Sequence, residues 1–109
     1  MQIQKLKKLI SKIFLKYNLN KKHAEICAKA LINAELVGAP SHGVSRLKMY
    51  CERINKKVIN PKPKIKIKRV TNSVSLIDAD NSIGFVAADT GIKETIKIAK
   101  KTGIAFVGI

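Results

Sequence analysis

Apolar side chains recur at helical spacing from the start of the chain: Ile3, Leu6, Ile10, Ile13, Phe14 and Tyr17 fall on one stripe with lysines between them. The stripe predicts a first helix that ends at Asn18-Leu19-Asn20. Asn20 then suits the cap of a second helix, which carries Ala24, Cys27, Ala28, Leu31 and Leu36 inward and stops at Gly38. Pro40 and Ser41 open a third helix, with Val44, Leu47, Cys51 and Ile54 as its buried stripe. His23 falls among lysines in the first turns of the second helix, a position that predicts exposure and no chemical role.

Beyond Ile59-Asn60 the period changes. Pro61 and Pro63 interrupt the pattern, and lysine then alternates with Ile65 and Ile67, as in a strand over 64–70 with one wet face. A second strand over 73–78 leads to a turn at Asp80-Asn81. A helix from Gly84 to about Lys101 is expected to turn Ala88, Ile92, Thr95, Ile96 and Ala99 inward and to end at Gly103. The apolar run Ile104–Ile109 then predicts a buried strand. Three helices followed by strand, strand, helix and strand predict an α/β protein. A helical region occupies 1–60, a linker and edge strand 61–72, and the start of a mixed α/β sheet domain 73–109.

Charge offers a rival reading. The chain has 22 basic and 7 acidic residues, a formal net charge of +15, and small basic proteins often bind nucleic acid through counterion release. Its lysines, however, are spread over every segment, aromatic content is 5%, and Arg46, Arg53 and Arg69 are the only arginines. Base stacking and base-edge reading therefore have few candidate residues. A small nucleic-acid-binding protein stands as the alternative, and no nucleic-acid partner is expected. Cys27 and Cys51 form neither a metal pattern nor a disulfide framework and suit buried free thiols. Asp78, Asp80 and Asp89 have the spacing of turn and cap residues, so no metal site is expected. Lysines interrupt the first apolar stripe, so no signal peptide is expected, and no run has the length of a membrane span. A cytoplasmic setting with no membrane partner is the natural expectation.

Candidate chemistry concentrates in Ser41-His42-Gly43-Val44-Ser45-Arg46-Leu47-Lys48-Met49-Tyr50. If 42–50 is helical, His42, Arg46 and Tyr50 line one face, because residues four apart are helical neighbours. His42 and Gly43 would stand at or before the first turn, which weakens that alignment for the histidine. An imidazole handles protons near neutral pH, and a guanidinium grips carboxylates through a planar fork. Together they suit a small acid bearing an oxygen that gains or loses a proton.

The segment Ala34-Glu35-Leu36-Val37-Gly38-Ala39-Pro40-Ser41-His42-Gly43-Val44-Ser45-Arg46-Leu47, with Tyr50 and Ile54, resembles the N-terminal signature of the type-2 malate/L-lactate dehydrogenase family. The resemblance continues through Ile59-Asn60-Pro61, Leu76 to Gly84 and Ile98 to Ala105, in order and over nearly the whole chain. It implies a nicotinamide-dependent oxidoreductase acting on 2-hydroxy or 2-keto acids, a homodimer at full length, with a nucleotide-binding fold unlike the Rossmann type. It also implies that His42 exchanges a proton with the substrate oxygen, Arg46 binds the carboxylate, and Ser41 and Tyr50 line the pocket. Val37 replaces an arginine usual in the family, Pro40 an acidic residue and Lys57 a glycine. These departures bear on substrate choice more than on reaction type. Family members are several-fold longer, so the chain reads as the N-terminal part of a larger fold, with the sheet domain incomplete. It has no GxGxxG or phosphate-loop pattern. NAD or NADP contacts are accordingly expected mostly beyond residue 109, and the chain alone is expected to be inactive.

Overall fold

The computed structural model describes residues 2–109, which form two compact units, one running to Lys62 and the other from Pro63 to Ile109. The first contains α1 (Ile3–Lys16), α2 (Lys21–Leu36), two single 3-10 turns (Pro40–His42 and Val44–Arg46) and α3 (Leu47–Asn55). Its core is built from Ile10 and Phe14 of α1, Leu19 of the connection, Ala24, Cys27, Ala28, Leu31 and Ile32 of α2, and Cys51 and Ile54 of α3. Asn20 caps α2 as expected, its Oδ1 accepting the His23 N–H at 2.8 Å. His23 itself is half-buried rather than exposed.

One local device ends all three helices of this unit. After each, a residue in the left-handed region (Asn18, φ 74°; Gly38, φ 78°; Lys57, φ 60°) lets its own N–H and the next one turn back onto the last carbonyls. The bonds are Asn18 N to Leu15 O and Leu19 N to Phe14 O, Gly38 N to Glu35 O and Ala39 N to Ala34 O, and Lys57 N to Ile54 O and Val58 N to Arg53 O, all between 2.9 and 3.2 Å. Glycine adopts this conformation without a Cβ penalty, so Gly38 suits its position and Lys57 is held in it against preference. Leu36 departs from expectation: five residues after Leu31, and so about 140° round the helix from it, it lies off the buried stripe and is 62% exposed.

In the second unit, β1 (Lys66–Arg69), β2 (Val74–Asp78) and β3 (Phe106–Gly108) form a three-stranded sheet in the order β1-β2-β3. β1 is antiparallel to β2, with Lys66 opposite Asp78 and Arg69 opposite Ser75. α4 (Gly84–Thr102) crosses from β2 to β3, which runs parallel to β2 with Val74 opposite Phe106. Asp80 (φ 52°) and Asn81 (φ 54°) make the turn into α4. Asp78 Oδ1 accepts the Asp80 N–H and Asp80 Oδ2 accepts the Lys64 N–H, both at 2.9 Å, which gives these aspartates turn duties. Asp89 pairs with Lys93 at 2.7 Å on α4. Gly103 ends α4 in the left-handed region, as expected.

Three expectations for this unit fail on facing rather than on element type. α4 buries Val86, Ala87, Gly91, Glu94 and Ile98, whereas Ala88, Ile92 and Ile96 of the expected inward face are exposed. The helix is apolar on two faces, and the burial of Glu94 decides between them: its Oε1 accepts from Ser75 Oγ at 3.1 Å and pairs with Arg69 Nη2 at 3.3 Å. β1 has no buried face, since all four of its residues are exposed. β3 forms within Ile104–Ile109 but at a sheet edge, leaving Ile104, Phe106 and Ile109 exposed rather than buried. No helix among the described residues is long and apolar enough to cross a membrane.

Candidate active site

The Ser41–Tyr50 segment is not one continuous helix. Gly38 sends the chain out of α2, and Pro40, with φ fixed by its ring, starts the first 3-10 turn. There the His42 N–H donates to Ala39 O at 3.0 Å and the Gly43 N–H to Pro40 O at 3.1 Å. Gly43 (φ −98°, ψ −139°) breaks the helical path. A second turn follows, closed by the Arg46 N–H on Gly43 O at 3.0 Å, and α3 begins at Leu47. The third helix therefore starts later than Pro40-Ser41, and His42 does not share an α-helical face with Arg46 and Tyr50. The stripe of that expected helix survives at Cys51 and Ile54, with Val44 and Leu47 half-buried.

The side chains meet by another route. Ser41 Oγ lies 3.0 Å from His42 Nδ1, a hydrogen bond that occupies one ring nitrogen and orients the imidazole. With the hydroxyl donating, the ring proton resides on Nε2; with Nδ1–H donating, Nε2 is the acceptor. In either tautomer Nε2 is the ring nitrogen that Ser41 does not engage, and Ser41 and His42 are both exposed. Arg46 folds back so that its Nε donates to Ser41 O at 2.7 Å, while Nη1 approaches Met49 Sδ at 3.7 Å. Ser45 Oγ donates to Pro40 O at 3.0 Å and closes the loop. Ser41, His42 and Arg46 are thus joined in one hydrogen-bonded loop. Tyr50, half-buried, stands one turn along α3 from Arg46.

Sequence reasoning missed Glu35. From the last turn of α2 its Oε1 accepts the Val44 N–H at 2.9 Å. A carboxylate in a last helical turn opposes the helix dipole, and that misplacement was the available signal of a specific task.

Cys27 and Cys51 are buried free thiols, as expected. Burial pushes Cys27 up to about 12 and also raises Cys51, whose own backbone hydrogen bond partly offsets the effect. Neither belongs to the loop.

Where a phosphate must approach backbone, a glycine is needed because a Cβ would fill the space. At Gly43, Gly91 and Gly108 that space is already taken by the chain's own side chains, Glu35, Ile109 and Leu76, whereas at Gly38, Gly84 and Gly103 it is open.

The family model for malate/L-lactate dehydrogenase matches residues 1–109. The chain is 39% identical over 101 residues to a malate/(S)-sulfolactate dehydrogenase of Methanothermus fervidus, covering 93% of this chain and 30% of that protein. It is 36% identical over 104 residues to an NAD+-dependent ureidoglycolate dehydrogenase of Escherichia coli, covering 95% and 30%. The solved structure of malate dehydrogenase from Pyrococcus horikoshii superposes with a TM-score of 0.94 at 37% identity, over 98% of this chain and 31% of that one. The chain thus spans about 30% of the length of the relatives it matches.

Proposed function

The chain belongs to the malate/L-lactate dehydrogenase family, and on that premise we propose that it contributes the proton-handling and carboxylate-binding part of an oxidoreductase. The reaction is hydride transfer between NAD or NADP and a small 2-hydroxy or 2-keto acid. His42 Nε2 exchanges the proton of the substrate carbinol or carbonyl oxygen. Arg46 binds the carboxylate with the guanidinium nitrogens beyond Nε, which is committed to Ser41 O. Ser41 fixes the imidazole, and Ser41 and Tyr50 line the substrate. Hydride movement is the chemistry of the cofactor, bound mostly by residues beyond 109, so this chain handles one proton and one negative charge. A homodimer at full length, in the cytoplasm, completes the reading.

The loop that joins Ser41 Oγ to His42 Nδ1 at 3.0 Å and Arg46 Nε to Ser41 O at 2.7 Å carries this proposal. It supports the reading because general acid–base catalysis needs an oriented proton carrier within reach of a fixed substrate. The test is reduction of 2-keto acids by the gene product with NADH or NADPH. His42→Ala lowers turnover by roughly 10²–10⁴-fold, and Arg46→Ala chiefly raises KM. Normal turnover in His42→Ala refutes the role of the imidazole. Residues 1–109 alone are expected to be silent, and tight NADH binding by them in a calorimetric titration refutes the assignment of the cofactor site to other residues.

A further inference from the structure

The glycine of the Ser-His-Gly loop is buried although the serine and histidine before it are exposed. Its φ of −98° lies outside the left-handed region, and what a side chain would lack there is clearance. A Cβ at Gly43 would collide with Glu35 Oε1 and lie 2.7 Å from its Cδ and 2.9 Å from its Cγ. The Glu35 side chain therefore lies flat on the Gly43 backbone, and its Oε1 continues to the Val44 N–H at 2.9 Å.

That contact pins one peptide unit from both sides. Its N–H, on Val44, is held by Glu35, and its carbonyl, on Gly43, is held by the Arg46 N–H at 3.0 Å. The unit lies one residue beyond His42 and leads into the turn that carries Arg46, so its orientation bears on where both side chains leave the backbone. Placement of a carboxylate at the end of α2 carries an electrostatic cost, because the last helical carbonyls point toward it. The charge-assisted hydrogen bond to Val44 offsets that cost. It also ties the exposed loop to a helix whose inner face is packed around Cys27, Ala28 and Leu31.

We propose that Glu35 is a positioning residue that fixes His42 and Arg46 by holding the Gly43–Val44 peptide. The inference rests on the reading of His42 as the proton carrier for its catalytic consequence, but not for its structural one. The full chain with isotope-labelled histidine provides the structural test, and His23, on the first turn of α2, serves as internal reference. Glu35→Ala is expected to shift and broaden the His42 imidazole signals and to lower exchange protection of the Val44 amide, with His23 unchanged. Gly43→Ala, whose Cβ displaces the Glu35 side chain from Cγ outward, is expected to reproduce both effects. Glu35→Gln, which keeps an acceptor oxygen, is expected to restore the wild-type pattern. In the gene product, Glu35→Ala lowers kcat roughly tenfold to a hundredfold with KM little changed, as misplacement of a reacting group does. Wild-type His42 signals and Val44 protection in Glu35→Ala overturn the proposal. So does a Glu35→Gln variant that behaves like Glu35→Ala. Should Glu35→Ala not fold, Gly43→Ala against Glu35→Gln gives the same decision. If His42→Ala turns over normally while the Glu35 variants still move the His42 signals, the catalytic reading has failed and the positioning role stands.

Discussion

Raising the pH tests whether α2, the element that carries Glu35, is seated as firmly as its packing indicates. Cys27 is fully buried on its inner face, and desolvation pushes the thiol from an ordinary 9.0 to about 12. The folded state keeps the proton where the unfolded chain has lost it, so the unfolded state binds fewer protons between those two values. Stability is therefore unaffected below about pH 9 and declines as the pH rises from 9 toward 12. At about pH 10.5 the unfolded thiol is almost wholly ionised and the folded one almost wholly neutral. The loss is then about 1.5 pH units at 1.36 kcal/mol each, or about 2 kcal/mol. That is a large share of the stability of a small domain.

Lysines and tyrosines titrate in the same range, so the effect is isolated as a difference. Urea unfolding of the wild type and of Cys27→Ala, each at about pH 8 and about pH 10.5, gives four free energies, with Cys51 present in both proteins. Cys27→Ala is less stable at the lower pH through lost packing, but the wild type alone loses the additional ~2 kcal/mol at the higher pH. In native protein near pH 8, Cys27 also reacts with a thiol reagent far more slowly than after unfolding. Equal pH dependence in the two proteins refutes the argument, because it means that water reaches the sulfur and the inner face of α2 is open.

Three further outcomes follow from local geometry. Asn20→Ala removes the acceptor for the His23 N–H and lowers stability by about 1 kcal/mol, read from the urea midpoint. Lys57→Gly relieves a left-handed residue at φ 60° and raises stability by about 0.5–1 kcal/mol, since the Cβ strain removed exceeds the entropy that glycine loses; a lower midpoint contradicts this. Glu94→Ala leaves the fully buried Ser75 hydroxyl without its acceptor and lowers stability by about 1–3 kcal/mol, and Glu94→Gln lowers it less. The Arg69 pairing adds little to that figure because the arginine side chain is 44% exposed.

Local chemistry and the inward faces of the first unit's helices were legible in the sequence, and facing in the second unit was not. The cap at Asn20, the stops at Gly38 and Gly103 and the turn at Asp80-Asn81 depend on a few consecutive residues, and each stands where the residue types place it. The inward face of α4 depends instead on residues far along the chain. Apolar side chains occupy two of its faces, so periodicity offers two equivalent solutions. The polar residue Glu94 selects one, by meeting Ser75 and Arg69 from two different strands. A count of apolar positions treats a buried glutamate as evidence against burial, and so chooses the wrong face.

The Ser41–Tyr50 loop fails in a related way and with more consequence. Spacing of four aligns side chains only on an uninterrupted α-helix, whereas Pro40 and Gly43 divide this segment into two 3-10 turns. The residue types still pointed to a proton carrier beside a carboxylate grip, and the structure does join Ser41, His42 and Arg46, through a side-chain hydrogen bond and a backbone carbonyl rather than a shared face. A motif read as an aligned row is thus a folded loop. The hydrogen bonds within the two turns link loop residues to one another, whereas an imidazole placed for proton transfer requires the whole loop to be held within a narrow tolerance. Rigidity must come from a packed neighbour, and the glutamate that lies on Gly43 is attached to one.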